Sequence, residues 1–154
     1  MSDLYDTDVV IWSERQAALL RRMAAGERVN DQVDWENVAE EIEALGISDR
    51  RELRNRVRII LAHLLKLQLS PAIEPRPGWR ETVREQRRQL RIVLDESPSL
   101  RPTLPTVIGS ELPEARQQVF ASLADRKEQP RVDPAGLTYT EEQVFDPWLP
   151  DDCD

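Results

Sequence analysis

The chain contains one histidine, His63, and glutamates at positions 40, 41 and 43 that could lie beside it. Imidazole and carboxylate side chains inside a helical bundle can bind iron, manganese or zinc. The Glu-x-x-His step that di-metal bundles use does not occur in this sequence. The residues therefore favour a half-buried histidine that is hydrogen-bonded to a carboxylate or a backbone carbonyl. A metal or small-ligand site formed by His63 and Glu41, with Glu43 and Arg56 nearby, is the alternative.

Arginine is the second group that could do chemistry, since 19 of the 21 basic residues are arginine. Residues 50–91 hold 12 basic and 4 acidic residues, a net charge of +8, whereas residues 1–49 and 92–154 each carry −8. The candidate phosphate contacts are Arg50, Arg54, Arg58, Arg80, Arg84 and Arg87. The whole chain carries −8, which opposes phosphate binding, and no glycine-rich phosphate loop occurs. We therefore favour pairing of these arginines with acidic helices of the same fold, and nucleic-acid binding is the alternative.

Catalytic groups are scarce in this sequence. One histidine and one cysteine leave no room for a nucleophilic triad, so we predict no catalytic residue and no cofactor. Cys153 is expected to be an inert tail thiol, since a single cysteine cannot form a disulfide within the chain. The sequence shows no hydrophobic signal peptide and no apolar run of about 20 residues, so we expect a cytoplasmic protein without a membrane partner.

A predicted central helix at residues 48–70 must position His63 and the first arginines. Ser48 is a suitable N-cap, and apolar residues recur at helical spacing at positions 53, 57, 60, 64 and 67. From Ile59 to Leu69 the helix is apolar on nearly all sides, which predicts burial by several neighbours. Pro71 ends the helix.

A second helix is predicted at residues 34–46, where Trp35, Val38, Ile42 and Leu45 share one face. Gly46 has the residue type that commonly follows the end of a helix. The short link after it favours an antiparallel hairpin, in which Trp35 and Ile42 would cover the central helix.

The other helices are predicted from weaker patterns. A first helix runs to about residue 25, and a long one occupies residues 79–95. Prolines divide the following segment into two short helices, near 103–110 and 113–124. A capped turn begins at Thr140.

These elements predict an all-α protein, a helical bundle of about four to five helices around the buried central helix, with a short helix and an extended C-terminal tail. We expect one domain over residues 1–154. The tail, residues 138–154, is expected to dock on the body because Trp148 and Leu149 are unfavourable in a solvated tail.

Several segments together carry a family resemblance. They are LYDTD at 4–8, DWENVAEEIEALG at 34–46, LAHLLKLQ at 61–68, W-R-x-T-V-x-x-Q-R at 79–87, SPSLRP at 97–102 and YTxEQxxDPWLP at 139–150. In these segments, and over nearly its whole length, the chain resembles a bacterial family catalogued as domain of unknown function 29, common in cyanobacteria and proteobacteria. The resemblance implies an all-helical fold and no particular activity. Relatives look more continuously helical over residues 102–113, where this chain has three prolines.

Strong helical amphipathicity without a catalytic constellation favours a non-enzymatic bacterial, cytoplasmic protein. Such a protein would bind a protein partner or form a homo-oligomer through exposed apolar surface. A nucleic-acid-associated regulator that uses residues 50–91 is one alternative function. A metal-binding or small-ligand-binding protein with a site near His63 is the other.

Overall fold

The computed structural model describes residues 3–150, and its regular structure in this range is helical throughout. The six α-helices are α1 (Asp3–Thr7), α2 (Val9–Ala24), α3 (Trp35–Leu69), α4 (Arg76–Glu96), α5 (Leu104–Asp125) and α6 (Glu141–Phe145). Short 3₁₀ turns occupy Asn30–Gln32, Pro98–Thr103 and Pro134–Gly136. The predicted all-α class is confirmed. Among the described helices, none is long and apolar enough to cross a membrane.

The chain folds into two compact units, Met1–Ser48 and Asp49–Asp154. The first unit holds α1, α2 and the beginning of α3, and the second holds the remainder of α3 with α4, α5 and α6. The expectation of a single domain over residues 1–154 stays a prediction.

The predicted hairpin around Gly46 is wrong, because α3 is one helix from Trp35 to Leu69. A glycine that ends a helix usually adopts a positive φ. Within the described chain Gly26, after α2, is the glycine with that geometry, at φ +94, and Gly46 is not. One glycine inside a helix costs only about 1 kcal/mol, so the hydrogen bonds of the flanking turns can carry the helix through it.

The second half of α3 forms the centre of the second unit, as predicted for the central helix. Leu53, Val57, Ile60 and Leu64 are at most 1% exposed. They belong to one apolar cluster with buried side chains of α4 and α5, including Val83, Leu90, Leu104 and Val119. Trp35 and Ile42, which the sequence placed over this helix, are exposed instead.

Prolines end fewer helices than the sequence predicted. Helix α4 begins at Arg76 and includes Pro77, because proline is tolerated in the first helical turn. The two short helices predicted near 103–110 and 113–124 are one helix, α5, with Pro113 inside it. An internal proline costs roughly 3 kcal/mol. Buried side chains on both sides of it, Ile108, Leu112, Ala115 and Val119, offset that cost by packing in the core.

Replacing Gly46 by alanine tests the continuity of α3. An added Cβ at Gly46 meets nothing within 4 Å, so the variant should be more stable than the wild type by about 0.5–1 kcal/mol. Gly26→Ala is the matched control and should destabilise, since Gly26 has φ +94. Urea unfolding followed by circular dichroism measures both. Destabilisation by Gly46→Ala would show that Gly46 ends the helix.

Candidate functional site

Asp34, the residue before α3, links α3 to α2 in the first unit. The Trp12 indole Nε1 donates to Asp34 Oδ2 at 3.1 Å, and the Asp34 amide donates to Gln16 Oε1 at 2.8 Å. The Asn37 side-chain amide donates to the same Oδ2 at 2.8 Å. The bond from Asn37, and then that from Trp12, hold the pKa of the Asp34 carboxyl below its usual range. Asp34 is therefore negatively charged at neutral pH.

Trp12 is the centre of a small apolar cluster in this unit. It packs with buried Val33 and Val38, and the partly buried members are Leu4, Tyr5, Leu19, Leu20 and Met23. The Tyr5 ring meets Trp12 edge-on at 4.8 Å between centroids. The Tyr5 hydroxyl donates to Glu41 at 2.6 Å, and this bond raises the pKa of Tyr5 to about 12. The cluster thus holds α1, α2 and the first turns of α3 together.

Four large apolar side chains on the first part of α3 lie outside this cluster, and one of them, Ile47, is 53% exposed on a different side of the helix from the other three. Trp35 is 50% exposed, Ile42 62% and Leu45 70%. At about 100° per residue they fall within one arc of the helix surface, and we call them the apolar stripe. The Trp35 indole Nε1 donates to the Asn30 carbonyl at 2.8 Å, which fixes the ring although half of it is exposed. Val38 lies on the same face but is buried in the Trp12 cluster, so the stripe consists of exposed apolar side chains on either side of one covered position.

Exposed apolar side chains elsewhere do not form a comparable row. In the second unit they are Ile73, Ile92, Phe120 and Val132, on separate elements. Single exposed apolar side chains are normal for proteins, whereas a row of them on one face is not. The first unit also exposes Val9, Val10 and Ile11 at the start of α2.

The surroundings of the apolar stripe are acidic. The charged residues between positions 35 and 45 are all glutamates, and they are Glu36, Glu40, Glu41 and Glu43. All except the half-buried Glu41 are exposed. The first unit as a whole has 11 acidic and 4 basic residues, a net charge of −7. The apolar stripe is therefore surrounded by negatively charged side chains.

A pocket of about 500 Å³ opens beside Trp35 in the same unit. Trp12 and Leu19 contribute apolar surface, and its charged lining residues are Arg15, Asp31, Asp34 and Glu36. Three carboxylates against one guanidinium give the lining a negative charge.

His63 lies half-buried on the α3 segment of the second unit. Its Nδ1 is 2.8 Å from the Ile59 carbonyl oxygen. A carbonyl can only accept, so Nδ1 carries the proton in the neutral ring. Burial lowers the pKa of His63 below 6.5, and the charge of Lys66 lowers it further. The half-buried ring and its contact with a backbone carbonyl agree with the environment that the sequence favoured, and the role of His63 stays a prediction.

The other residues of the predicted polar site have partners of their own. Glu41 accepts from Tyr5, Glu43 is exposed, and Arg56 donates to Gln86 at 3.1 Å and to Glu52 at 3.2 Å. The turn that was to bring the glutamates toward His63 is absent from α3. Within residues 3–150, no three His, Cys, Asp or Glu side chains are grouped so that they could hold a metal. A metal site at His63 and Glu41 gains no support from the geometry and stays a prediction.

The structure separates the six arginines predicted to contact phosphate. Arg50, Arg54 and Arg84 are exposed. Arg80 is half-buried. Arg58 Nε donates to Glu111 Oε2 at 2.8 Å, and this bond raises the pKa of Arg58. Cys153, the predicted tail thiol, lies outside the described residues.

Arg87 is the clearest departure from the phosphate prediction, because it is only 3% exposed. Its Nε donates to the Val144 carbonyl at 2.9 Å, and its Nη2 donates to the carbonyls of Gln143 and Trp148, both at 2.6 Å. Burial lowers the pKa of Arg87 to about 10. A guanidinium used in this way joins the C-terminal segment to α4 and cannot meet a phosphate.

Three further arginines, which the sequence did not indicate, also donate to main-chain carbonyls, and one of them is Arg91, which donates to the Phe145 carbonyl at 3.3 Å. Arg76 donates to the Leu67 carbonyl at 2.7 Å and thereby caps the end of α3. Arg116 donates to the Leu137 carbonyl. For Arg87 the signal was present, since positions 83, 87, 90 and 94 follow helical spacing on the apolar face of α4.

A family model described as "Domain of unknown function DUF29" matches residues 4–149, nearly the whole chain. The chain belongs to this family. No curated protein and no solved structure matches it.

Arg87→Met should destabilise the protein by at least about 2 kcal/mol, because three carbonyls lose a charged donor: that of the buried Val144 and those of the half-buried Gln143 and Trp148. Arg88→Met is the matched control: Arg88 pairs with Glu85 but its side chain is 67% exposed, so its loss should cost under about 1 kcal/mol. Urea unfolding measures both variants. Equal effects would show that the Arg87 bonds do not hold the C-terminal segment.

His63 should make stability depend on pH. Its pKa is lower in the folded protein than in the unfolded chain, so the unfolded chain binds more protons and the free energy of unfolding falls as the pH drops below about 6.5. His63→Gln cannot titrate, so the wild type should lose stability relative to it between about pH 7.5 and pH 5.5. A constant difference across this range would contradict the buried environment of the ring.

Proposed function

We propose that this member of the DUF29 family is a non-enzymatic protein-interaction module, bacterial and cytoplasmic, and that its binding surface is the apolar stripe. The observation that carries the proposal is the exposure of Trp35, Ile42 and Leu45 in one row on α3. Cytoplasmic location and bacterial origin are parts of the proposal that rest on the sequence alone.

The stripe has the physical properties of a binding surface. Full burial of a large apolar side chain is worth roughly 1.5–3 kcal/mol, so covering three of them can drive association. Tryptophan is enriched among the residues that dominate interface energies. Trp35 is already fixed by its bond to Asn30, which reduces the entropy lost when a partner binds.

Self-association through the stripe is the other form of this proposal. Two copies would bury the same side chains, but a two-fold contact would also bring the glutamates of one copy toward those of the other. The charge therefore favours a different protein as the partner.

The two alternative functions have less support. Two of the six arginines predicted to contact phosphate have other partners: Arg87 is buried, and Arg58 is paired with Glu111. Arg50, Arg54 and Arg84 remain exposed. A metal or small-ligand site near His63 has no grouped ligands within the part of the chain that the structure describes.

Site-specific photo-crosslinking tests the proposal. Benzoylphenylalanine in place of Leu45, which is 70% exposed, should form a discrete covalent adduct in cells that mass spectrometry identifies. The same residue in place of Ile73, which is 80% exposed but isolated, is the matched control and should form none.

A second substitution shows whether the adduct depends on the stripe. Ile42→Gln should remove the adduct at position 45, whereas Ile92→Gln on α4 should leave it unchanged. Both side chains are exposed, so either substitution should change stability by less than about 0.5 kcal/mol. Absence of an adduct at position 45, or an adduct that survives Ile42→Gln, would contradict the proposal.

A further inference from the structure

We infer that the occupant of the apolar stripe is an amphipathic helix of another protein, with apolar side chains on one face and lysine or arginine along its edges. This inference rests on the proposed function and names the chemistry of the partner.

The shape of the surface favours a helix. Trp35, Ile42 and Leu45 span eleven residues of α3, about 15 Å along its axis. A helix that lies along another helix packs its side chains between such ridges. An amphipathic helix has apolar side chains at this spacing, so it can cover the neighbouring pair Ile42 and Leu45, which lies beyond the buried Val38.

The charge of the residues beside the stripe discriminates between partners that have an apolar helix face. At about 100° per residue, Glu41 lies along one edge of the stripe, and Glu36 and Glu43 lie along the other. Basic side chains of the partner would meet the exposed carboxylates of Glu36 and Glu43, whereas Glu41 already accepts from Tyr5. Acidic side chains at the edges of the partner would meet like charge. The same holds for a second copy of this chain, whose first unit has a net charge of −7.

The pocket beside Trp35 supplies a place for one cation at an end of the partner helix. Its lining combines the half-exposed Trp35 with the carboxylates of Asp31, Asp34 and Glu36 against a single guanidinium, that of Arg15. Indole surface and carboxylates are the groups that bind ammonium and guanidinium side chains. The pocket therefore favours a basic partner, as do the glutamates at the edges of the stripe.

Three synthetic helical peptides of equal length test the inference on the full-length protein. The first has leucine at i, i+3, i+4 and i+7 and lysine elsewhere, the second replaces each lysine by glutamate, and the third replaces each leucine by serine. Fluorescence anisotropy measures their Kd at two salt concentrations. The lysine–leucine peptide should bind at micromolar Kd and at least tenfold tighter than the other two, with weaker binding at high salt.

Protein variants locate the binding. Ile42→Gln should weaken the lysine–leucine peptide at least tenfold, and the control Ile92→Gln should not. The double variant Glu36→Lys with Glu43→Lys should remove the preference for lysine over glutamate. Circular dichroism and the unfolding midpoint establish that each variant is folded.

The outcomes separate this inference from the proposed function. Equal binding of the glutamate–leucine or lysine–serine peptide, or an unchanged preference in the double lysine variant, overturns the basic partner. The stripe-dependent adduct at position 45 would then still support an interaction module. Adducts between two copies, with a dimer in light scattering that Ile42→Gln dissociates, also overturn the inference. Failure of both peptide binding and crosslinking overturns both proposals.

Discussion

The main-chain hydrogen bonds of α3 continue through Gly46 and Ser48. This continuity is the constraint that decides whether the apolar residues at the start of the helix are buried or exposed. A turn at Gly46 would have produced a hairpin, with Ile42 and Leu45 as part of a core. Because the helix continues, these side chains remain exposed on the first unit. Their exposure is the origin of the binding surface that we propose.

The two kinds of charge in the chain have different roles. Several arginines of the basic middle segment form bonds inside the second unit: Arg76 and Arg87, for example, donate to main-chain carbonyls, and Arg58 pairs with Glu111. The bonds from Arg76 and Arg87 satisfy carbonyls at or near helix ends. Most glutamates beside the apolar stripe, in contrast, are exposed. The basic segment therefore contributes both internal bonds and exposed arginines, among them Arg50, Arg54 and Arg84, whereas the glutamates of α3 contribute an acidic surface.

Much of the fold could be predicted from the sequence, because helical periodicity identifies amphipathic segments irrespective of their neighbours. The buried face of residues 53–67 followed directly from this spacing. Helix ends were less accurate: Gly46 and Pro113 are genuine local stop signals, yet continued hydrogen bonding and core packing override them. Local signals do not report the energy of the tertiary contacts that oppose them.

The candidate site could be predicted only in part. The spacing of Trp35, Ile42 and Leu45 identified an apolar face, but the same spacing describes a face that packs in a core and one that is open to solvent. Only the course of α3 after Leu45 distinguishes the two. The environment of His63 was easier to predict, since a lone histidine on a largely apolar helix commonly forms a hydrogen bond with a carbonyl or a carboxylate.

Backbone NMR of residues 43–51 is the measurement that tests the continuity of α3 most directly. A continuous helix predicts uninterrupted Hα–HN (i, i+3) cross-peaks from Glu43 to Arg51 and a negative φ at Gly46. A positive φ at Gly46, with these cross-peaks missing at positions 46–48 and new ones between Ile42 and residues of the 50–60 segment, would contradict it.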